Sequence, residues 1–256
     1  MSIQRTVLLS LRQYLIYSCV AFLALQLYFL VRILSLVYLN PESTSFERSE
    51  AWRIARSNSQ ISPSDIKLRL PWLQEWRPNP LIATNLKRAV VVSEDDIFTT
   101  HKGVQWEAIE RAWSHNLKAQ EQAQIRSNGS VKNIKIVGGS TITQQLAKNL
   151  FLSKERSLLR KAQELLITLE LETFLSKARI LEIYLNHVEW GAGVFGAEAA
   201  SRHYFSNAAN QLTPKQCARL AVMLPRPKYF ERNLGSAYLA ERSEVIEARM
   251  YSAKLP

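Results

Sequence analysis

The segment between Arg12 and Arg32 is the feature that most limits what this chain can fold into. It reads QYLIYSCVAFLALQLYFLV, nineteen residues without a charge. An α-helix needs about 20 such residues to cross a bilayer, so the segment predicts a transmembrane helix. Arg5 and Arg12 precede it, and the positive-inside rule therefore places the N-terminus in the cytoplasm and the remaining chain outside. A cleaved signal peptide is the alternative, although the run is long for that role.

The predicted anchor divides the chain. We assign residues 1–12 to a short cytoplasmic tail, 13–39 to the transmembrane anchor, 40–78 to a linker and membrane-proximal segment, and 79–256 to one domain. The stretch NPESTSFERSE after the anchor is polar and rich in turn-forming residues, as expected of a linker. The chain is long enough for one substantial folded domain beyond it.

Apolar spacing in that domain is helical almost throughout. Apolar residues recur three to four positions apart in LIATNLKRAVVV, VQWEAIERAWSHNLKA and ERSLLRKAQELLITLELETFL. In LTPKQCARLAVML, Thr213 is a predicted N-cap, Pro214 the first helical residue and Gln216 the partner in a capping box. No convincing alternating strand occurs, so we predict a mainly α-helical domain. The polar residues 120–139 interrupt this pattern, and we expect them to form either a lid over the substrate or a flexible loop.

Charge and cysteine content limit the partners. The formal net charge of +11 indicates an anionic partner, such as nucleic acid, acidic lipid head groups or a phosphorylated substrate. The predicted outward topology argues against nucleic acid. Cys19 and Cys217 lie far apart and indicate neither a disulfide framework nor a zinc site.

Two segments combine cations with polar groups on predicted helices. In GGSTITQQLAKNLFL, Ser140 and Thr141 open a helix whose first N–H groups form a natural anion site; an ordinary capped surface helix is the alternative. In RKAQE, two cations lie three and four residues from a carboxylate. This cluster is either a surface salt bridge or an anion clamp. Its members are Arg160, Lys161 and Glu164.

Three consecutive carboxylates stand out in VVSEDDIFTTHKGV. Glu94, Asp95 and Asp96 splay around the chain axis, so they cannot all converge on one metal ion. His101 follows without a zinc-type spacing. Spacing alone leaves open a catalytic base and a structural cap.

Together these blocks resemble the peptidoglycan glycosyltransferases of family 51, and most closely their monofunctional members. EDDIFTTHKG resembles the first family motif, E-D-x-x-F-x-x-H-x-G, and GGSTITQQLAKNLF resembles the second almost letter for letter. RKAQE, ILEIYLN and LAVMLPRPKYF are similar to the third, fourth and fifth, in the same order. Five ordered motifs are far more specific than any one of them.

The resemblance implies a lysozyme-like helical domain, one N-terminal transmembrane helix and a place on the outer face of the cytoplasmic (inner) membrane. It implies polymerisation of lipid II into glycan strands, with inversion at the donor sugar and release of undecaprenyl diphosphate. The expected partners are lipid II, the nascent glycan strand and the membrane, and the resemblance allows penicillin-binding and division proteins. No organic cofactor is expected, whereas a divalent cation, Mg²⁺ or Mn²⁺, stays open.

The resemblance also implies residue roles. Glu94 matches the general base, Asp95 a supporting acid, and Glu164 a second acid on the donor side or in contact with a metal. The residues that match substrate and diphosphate binding are Lys148, Arg160, Lys161, Ser140, Thr141, Gln144 and Gln145. The motif residues expected to support the structure are Phe98, His101, Gly103 and Asn186, and we expect Asp96 to be solvated.

Departures and rivals remain. Gln105 stands where the family commonly has aspartate, and Arg226 replaces a frequent asparagine. No K-[ST]-G signature of a transpeptidase occurs, so a monofunctional enzyme is expected. A glycan-cleaving lysozyme-like enzyme would not need the cluster of cations, and an inactive scaffold would not need the acids.

Overall fold

In the computed structural model, residues 3–58, 72–107, 110, 114, 139–153, 155 and 157–256 are described. The chain forms two compact units, Met1–Asn40 and Pro41–Pro256.

The first unit is one long helix, α1 (Ile3–Ser35). Its segment Arg12–Ser35 is, among the described residues, the one helix long and apolar enough to cross a membrane. A signal sequence passes the same test of length and composition. The helix is consistent with single-pass membrane anchoring.

The second unit is mainly α-helical, as predicted. Its described helices are α2 (Ser45–Asn58), α3 (Thr84–Glu94), α4 (Ile142–Phe151), α5 (Leu158–Phe174), α6 (Lys177–His187), α7 (Ala197–Phe205), α8 (Pro214–Met223), α9 (Pro227–Arg232) and α10 (Ala237–Arg249). Within the described residues there are also three short 3-10 turns, Asn79–Leu81, Ala209–Gln211 and Met250–Ser252.

A small sheet accompanies the helices. Its strands are β1 (Leu73–Gln74), β2 (Glu189–Gly191) and β3 (Val194–Phe195), in the spatial order β1, β3, β2. β1 runs parallel to β3 and β2 runs antiparallel to it. Strands of two or three residues are too short to show an alternating pattern, so apolar spacing did not predict them.

Capping explains where the helices begin. Thr141 and Gln144 form a capping box at α4, and Thr213 and Gln216 form the predicted one at α8, with Pro214 at its first position. Serine side chains accept hydrogen bonds from backbone N–H groups in the first turns of α5, α6 and α10. Such caps satisfy donors that a helix start would otherwise leave unpaired.

The core joins two helical groups. α3 packs against α8 and α10, while α4 packs against α2, α5 and α6. Trp190, which follows α6 in the sequence, is fully buried. It donates its Nε1–H to the carbonyl of Leu220 in α8 at 3.0 Å, so the polar atom of the indole ring is satisfied. The C-terminal end of α3 and the N-terminal start of α4 therefore belong to packed elements.

The segment after the anchor corrects our prediction of a linker. The Pro41–Pro256 unit includes it, and α2 begins inside the stretch NPESTSFERSE. Thr44 and Glu47 form a capping box there: the Thr44 N–H donates to Glu47 Oε2 and the Glu47 N–H donates to Thr44 Oγ1. The T-x-x-E signature of that box is present in the sequence, within the polar, turn-forming stretch that predicted a linker.

Two other predictions reach beyond the described residues. Of the helix expected over VQWEAIERAWSHNLKA, residues 106, 107, 110 and 114 are helical, Val104 and Gln105 are described but precede the helix, and the rest lies outside the described part of the chain. The predicted lid or loop at residues 120–139 lies outside it as well, apart from Gly139.

Candidate active site

Glu94 is the last residue of α3 and is partly exposed. Burial raises the pKa of its carboxyl group above the ordinary value, and the charge of Asp95 acts in the same direction. Hydrogen bonds from Gln145 and Ser93 stabilise the carboxylate and oppose that rise. A raised pKa favours the protonated form of a carboxyl group, which is the direction that proton acceptance by a carboxylate requires.

A hydrogen-bonded chain holds Glu94 from α4. The buried Tyr184 hydroxyl donates to Gln145 Oε1 at 3.0 Å, and Gln145 Nε2 donates to Glu94 Oε2 at 2.9 Å. Burial, followed by the charges of Glu94 and Asp95, raises the pKa of Tyr184 well above its usual value. The hydroxyl therefore stays protonated and fixes which end of the Gln145 amide faces Glu94.

Asp95 has a different environment from its neighbour. It is 3% exposed, and its carboxylate accepts hydrogen bonds from His101 Nε2 at 2.8 Å, from Gln105 Nε2 and from the Ile142 N–H at 3.0 Å. It thus joins the end of α3, the following loop and the start of α4. Asp95 holds structure together while Glu94 is left with a side open to solvent.

The start of α4 corrects the predicted anion site. The Ile142 N–H donates to Asp95, and the Gln144 N–H donates to Thr141 Oγ1 at 3.1 Å. The Thr141 hydroxyl donates in turn to the Gly103 carbonyl at 2.6 Å. The anion at this helix terminus is therefore a carboxylate of the chain itself, and Thr141, predicted to bind substrate, is a buried cap.

A cleft of about 290 Å³ opens beside α4 and α5. All the other predicted substrate-binding residues line it: Ser140, Gln144, Gln145, Lys148, Arg160 and Lys161, together with Glu164. Glu94 does not line the cleft, but Gln145 connects the two because its amide contacts Glu94 and its side chain faces the cleft.

Glu164 organises two of the cations. Its side chain is 4% exposed; Arg160 Nη1 donates to Oε2 at 2.7 Å, and Lys161 Nζ donates to Oε1. Lys161 is about half exposed and Arg160 is mostly buried. A surface salt bridge, one of the two alternatives from the sequence, is excluded because the carboxylate is buried. With Lys148, three cations line the cleft against the two carboxylates of Glu155 and Glu164, so its net charge is positive.

Comparison with known proteins decides the family. A family model described as transglycosylase matches residues 73–251. A biosynthetic peptidoglycan transglycosylase of Paraburkholderia xenovorans is 48% identical over 237 residues, covering 93% of this chain and 90% of the relative. One of Burkholderia orbicola is 47% identical over 257 residues, covering 99% and 96%. The chain belongs to the transglycosylase family.

The family and the helical fold class predicted from the five motifs are thereby confirmed. A third relative, from Burkholderia ambifaria, is 48% identical over 236 residues and covers 92% of this chain and 87% of its own length. The match begins near β1, so the family model reaches six residues before the domain start predicted at residue 79.

The resemblance left open a divalent cation in the cleft of this transglycosylase. Both oxygens of Glu164, its candidate ligand, already accept hydrogen bonds from cations. Among the described residues no group of three His, Cys, Asp or Glu side chains could hold a metal ion. A carboxylate that is paired with two positive groups is a poor ligand for a hard cation, which requires several free oxygens. The described residues do not fit such an ion.

The remaining motif residues support the transglycosylase site from the core. Phe98 is fully buried, with Lys177 Nζ 4.4 Å from its ring centre. Gly103 has φ +81°, and an added Cβ would lie 2.7 Å from Thr168 Cγ2, so glycine is required. The buried Asn186 amide donates to the Arg77 carbonyl and accepts from the Arg77 N–H. Asp96 is exposed, as predicted.

Sequence reasoning missed three residues of this site. Tyr184 lies inside the fourth motif, ILEIYLN, but its hydrogen-bond partner Gln145 is 39 residues away. Gln105 was noted only as a departure from the family, yet its amide donates to Asp95, where an aspartate would bring a second negative charge. Phe46 lines the cleft from α2, the helix that had been assigned to a linker.

Proposed function

We propose that this chain is a peptidoglycan glycosyltransferase that polymerises lipid II into glycan strands and releases undecaprenyl diphosphate. The enzyme class and the role in cell-wall synthesis predicted from the motifs are those of its family and of its near-full-length relatives. The observation that carries the proposal is Gln145, which contacts a carboxylate of raised pKa on one side and lines a cation-rich cleft on the other.

Glu94 is the general base in this proposal. The 4-hydroxyl oxygen of the acceptor sugar attacks the anomeric carbon of the donor, and its proton passes to the Glu94 carboxylate. A carboxyl group with a raised pKa holds that proton better than an ordinary one. The single base and the opposite leaving group account for inversion at the anomeric carbon.

Lys148, Arg160 and Lys161 bind the leaving group. As the bond between the anomeric carbon and the phosphate oxygen breaks, the diphosphate leaves with the electron pair and gains negative charge. Cations that are already in place stabilise this charge without reorganising. Glu164 aligns Arg160 and Lys161 through its two oxygens.

Arg160 and Lys161 also take the electrostatic place of a divalent cation. Both are held at Glu164, where the resemblance had allowed Mg²⁺ or Mn²⁺. Asp95 and His101 are positioning residues in this scheme, because they contact each other and the start of α4 rather than the cleft.

The helix α1 is the proposed anchor in the cytoplasmic (inner) membrane. Arg5 and Arg12 precede its apolar part, which supports a cytoplasmic N-terminus and a catalytic domain on the outer, periplasmic face. That face is where a lipid-linked disaccharide is presented for polymerisation. Penicillin-binding and division proteins stay predicted partners.

The test is polymerisation by the purified full-length chain in detergent. We expect wild-type protein to convert lipid II into long glycan strands on a gel, and Glu94→Gln to abolish them. Asp96→Asn, an exposed neighbour, is the matched control and should keep wild-type activity. If Glu94→Gln polymerises lipid II at the wild-type rate, Glu94 is not the general base. Tight binding of lipid II without polymer from any protein would favour a scaffold, and shortening of added glycan would favour a hydrolase.

A further inference from the structure

The cleft has an apolar side as well as a charged one. Phe46 and Leu152 are the apolar side chains among the described residues that line it, and the others are polar or charged. Phe46 comes from α2, whereas Leu152 directly follows α4. An aromatic ring and an aliphatic side chain therefore share one small cleft with Lys148, Arg160 and Lys161.

Phe46 is fixed in this position by its neighbours in the sequence. The next residue, Glu47, is fully buried, and its Oε1 accepts from His187 Nδ1 at 2.8 Å and from Gln74 Nε2 at 3.1 Å. The Phe46 ring contacts Phe195 edge-on, with ring centres 6.2 Å apart. These contacts tie the start of α2 to β1, α6 and β3.

A second buried carboxylate repeats the pattern one turn along α2. Glu50 is fully buried and pairs with Lys228 of α9 and with Arg53. Burying a carboxylate is costly unless it is paired and hydrogen-bonded, so two such pairs, at Glu47 and Glu50, hold the helix in one position. A helix that only connected an anchor to a domain would not need that precision. Placement of Phe46 in the cleft gives a reason for it.

We propose that Phe46 and Leu152 form an apolar subsite for the first isoprene units of a polyprenyl diphosphate, beside the cations that bind its diphosphate. This inference rests on the proposed function and deepens it. A prenyl diphosphate joins an apolar chain directly to a polyanion, so a site for the diphosphate must also receive the first carbons of the chain. A cleft of about 290 Å³ lies at the small end of ligand pockets, and it suits this junction rather than a whole glycolipid.

The test compares the binding of two small probes to the full-length protein. Inorganic pyrophosphate carries only the charge, and geranyl diphosphate adds two isoprene units. We expect wild-type protein to bind geranyl diphosphate about tenfold more tightly, as contact with a half-buried aromatic ring predicts. In Phe46→Ala the two dissociation constants should become nearly equal, while pyrophosphate affinity stays within about twofold of wild type. Leu152→Ala should reduce the difference in part.

Controls separate the subsite from general structure. Trp52→Ala removes an exposed aromatic from the same helix and should leave both dissociation constants unchanged. Phe46→Leu keeps an apolar side chain and should keep most of the preference for geranyl diphosphate. Lys148→Ala should weaken both probes equally. Three results would overturn the proposal. Phe46→Ala could weaken the binding of both probes equally, it could keep the preference for geranyl diphosphate, or the wild-type protein could show no such preference.

Polymerisation separates this inference from the proposed function. Phe46→Ala should raise the KM for lipid II about tenfold with kcat little changed, because the lost contact is to the chain and not to the reacting atoms. If wild type polymerises lipid II and Phe46→Ala matches its KM, the subsite is wrong and the function stands. If wild type makes no polymer but prefers geranyl diphosphate through Phe46, the function is wrong and the subsite stands.

Discussion

Glu94 and Asp95 are adjacent acids that should respond oppositely to removal of their charge. Asp95→Ala leaves three donors without their acceptor. The Ile142 N–H is buried and the His101 side chain is 8% exposed, whereas Gln105 is partly exposed and can turn to water. An unsatisfied buried donor costs about 1–3 kcal/mol, so two of them predict a loss of about 2–6 kcal/mol in the free energy of unfolding.

Glu94→Gln should not lower stability at pH 8. The folded-state pKa of Glu94 is raised, so the folded chain holds the proton more strongly than the unfolded chain and loses stability as pH rises through that pKa. Above it the penalty for the charged form is fully present, and a neutral amide removes it. The free energy of unfolding should equal or exceed that of wild type at pH 8, and the difference should vanish below the unfolded-state pKa.

Urea unfolding of the full-length chain in detergent measures both effects, with the fluorescence of its six tryptophans as the signal. Asp96→Ala is the matched control, because this neighbour is exposed and its loss should change stability by less than about 0.5 kcal/mol. The reasoning is refuted if Asp95→Ala costs no more than Asp96→Ala. It is also refuted if Glu94→Gln destabilises the protein as much as Asp95→Ala does.

Three further outcomes follow from the same contacts. Gln145→Ala removes a hydrogen bond that lowers the pKa of Glu94, so the acidic limb of the kcat/KM profile should move to higher pH; an unmoved limb contradicts this. Tyr184→Phe frees the Gln145 amide to turn and should lower kcat several-fold while lipid II binding is retained; unchanged kcat would show that the hydroxyl does not orient Gln145. Treatment with EDTA should leave the initial rate of polymerisation within about twofold of the untreated rate, because Arg160 and Lys161 occupy both oxygens of Glu164. Loss of polymerisation that added Mn²⁺ restores would contradict the proposal that these cations replace a metal ion.

Local patterns predicted much of this fold. The capping box of Thr213 and Gln216 depends on residues within one helical turn, and it was found where expected. The motifs also placed six of the seven predicted binding residues at one cleft. Such features are legible because helix periodicity and capping act over three to four residues.

Contacts over long sequence separations explain what the sequence left undecided. Asp95 caps a helix 47 residues further on, and that pairing changed an expected substrate anion site into an internal contact. His187 lies 140 residues from Glu47, so the buried pair that makes α2 part of the domain has no local signal beyond the capping box. A polar residue gives the same pattern whether water or a distant partner satisfies it.

The two halves of the proposed reaction meet on α4. Gln145 contacts the base and Lys148 lines the cleft for the leaving group, three residues apart, or about 4.5 Å along the helix axis. A shift of one residue in the register of α4 would turn both side chains by about 100°. Base and cation therefore keep or lose their places together. The contacts at the start of α4, from Thr141 and Asp95, set that register, and through them Asp95 positions side chains of the cleft that it does not itself line.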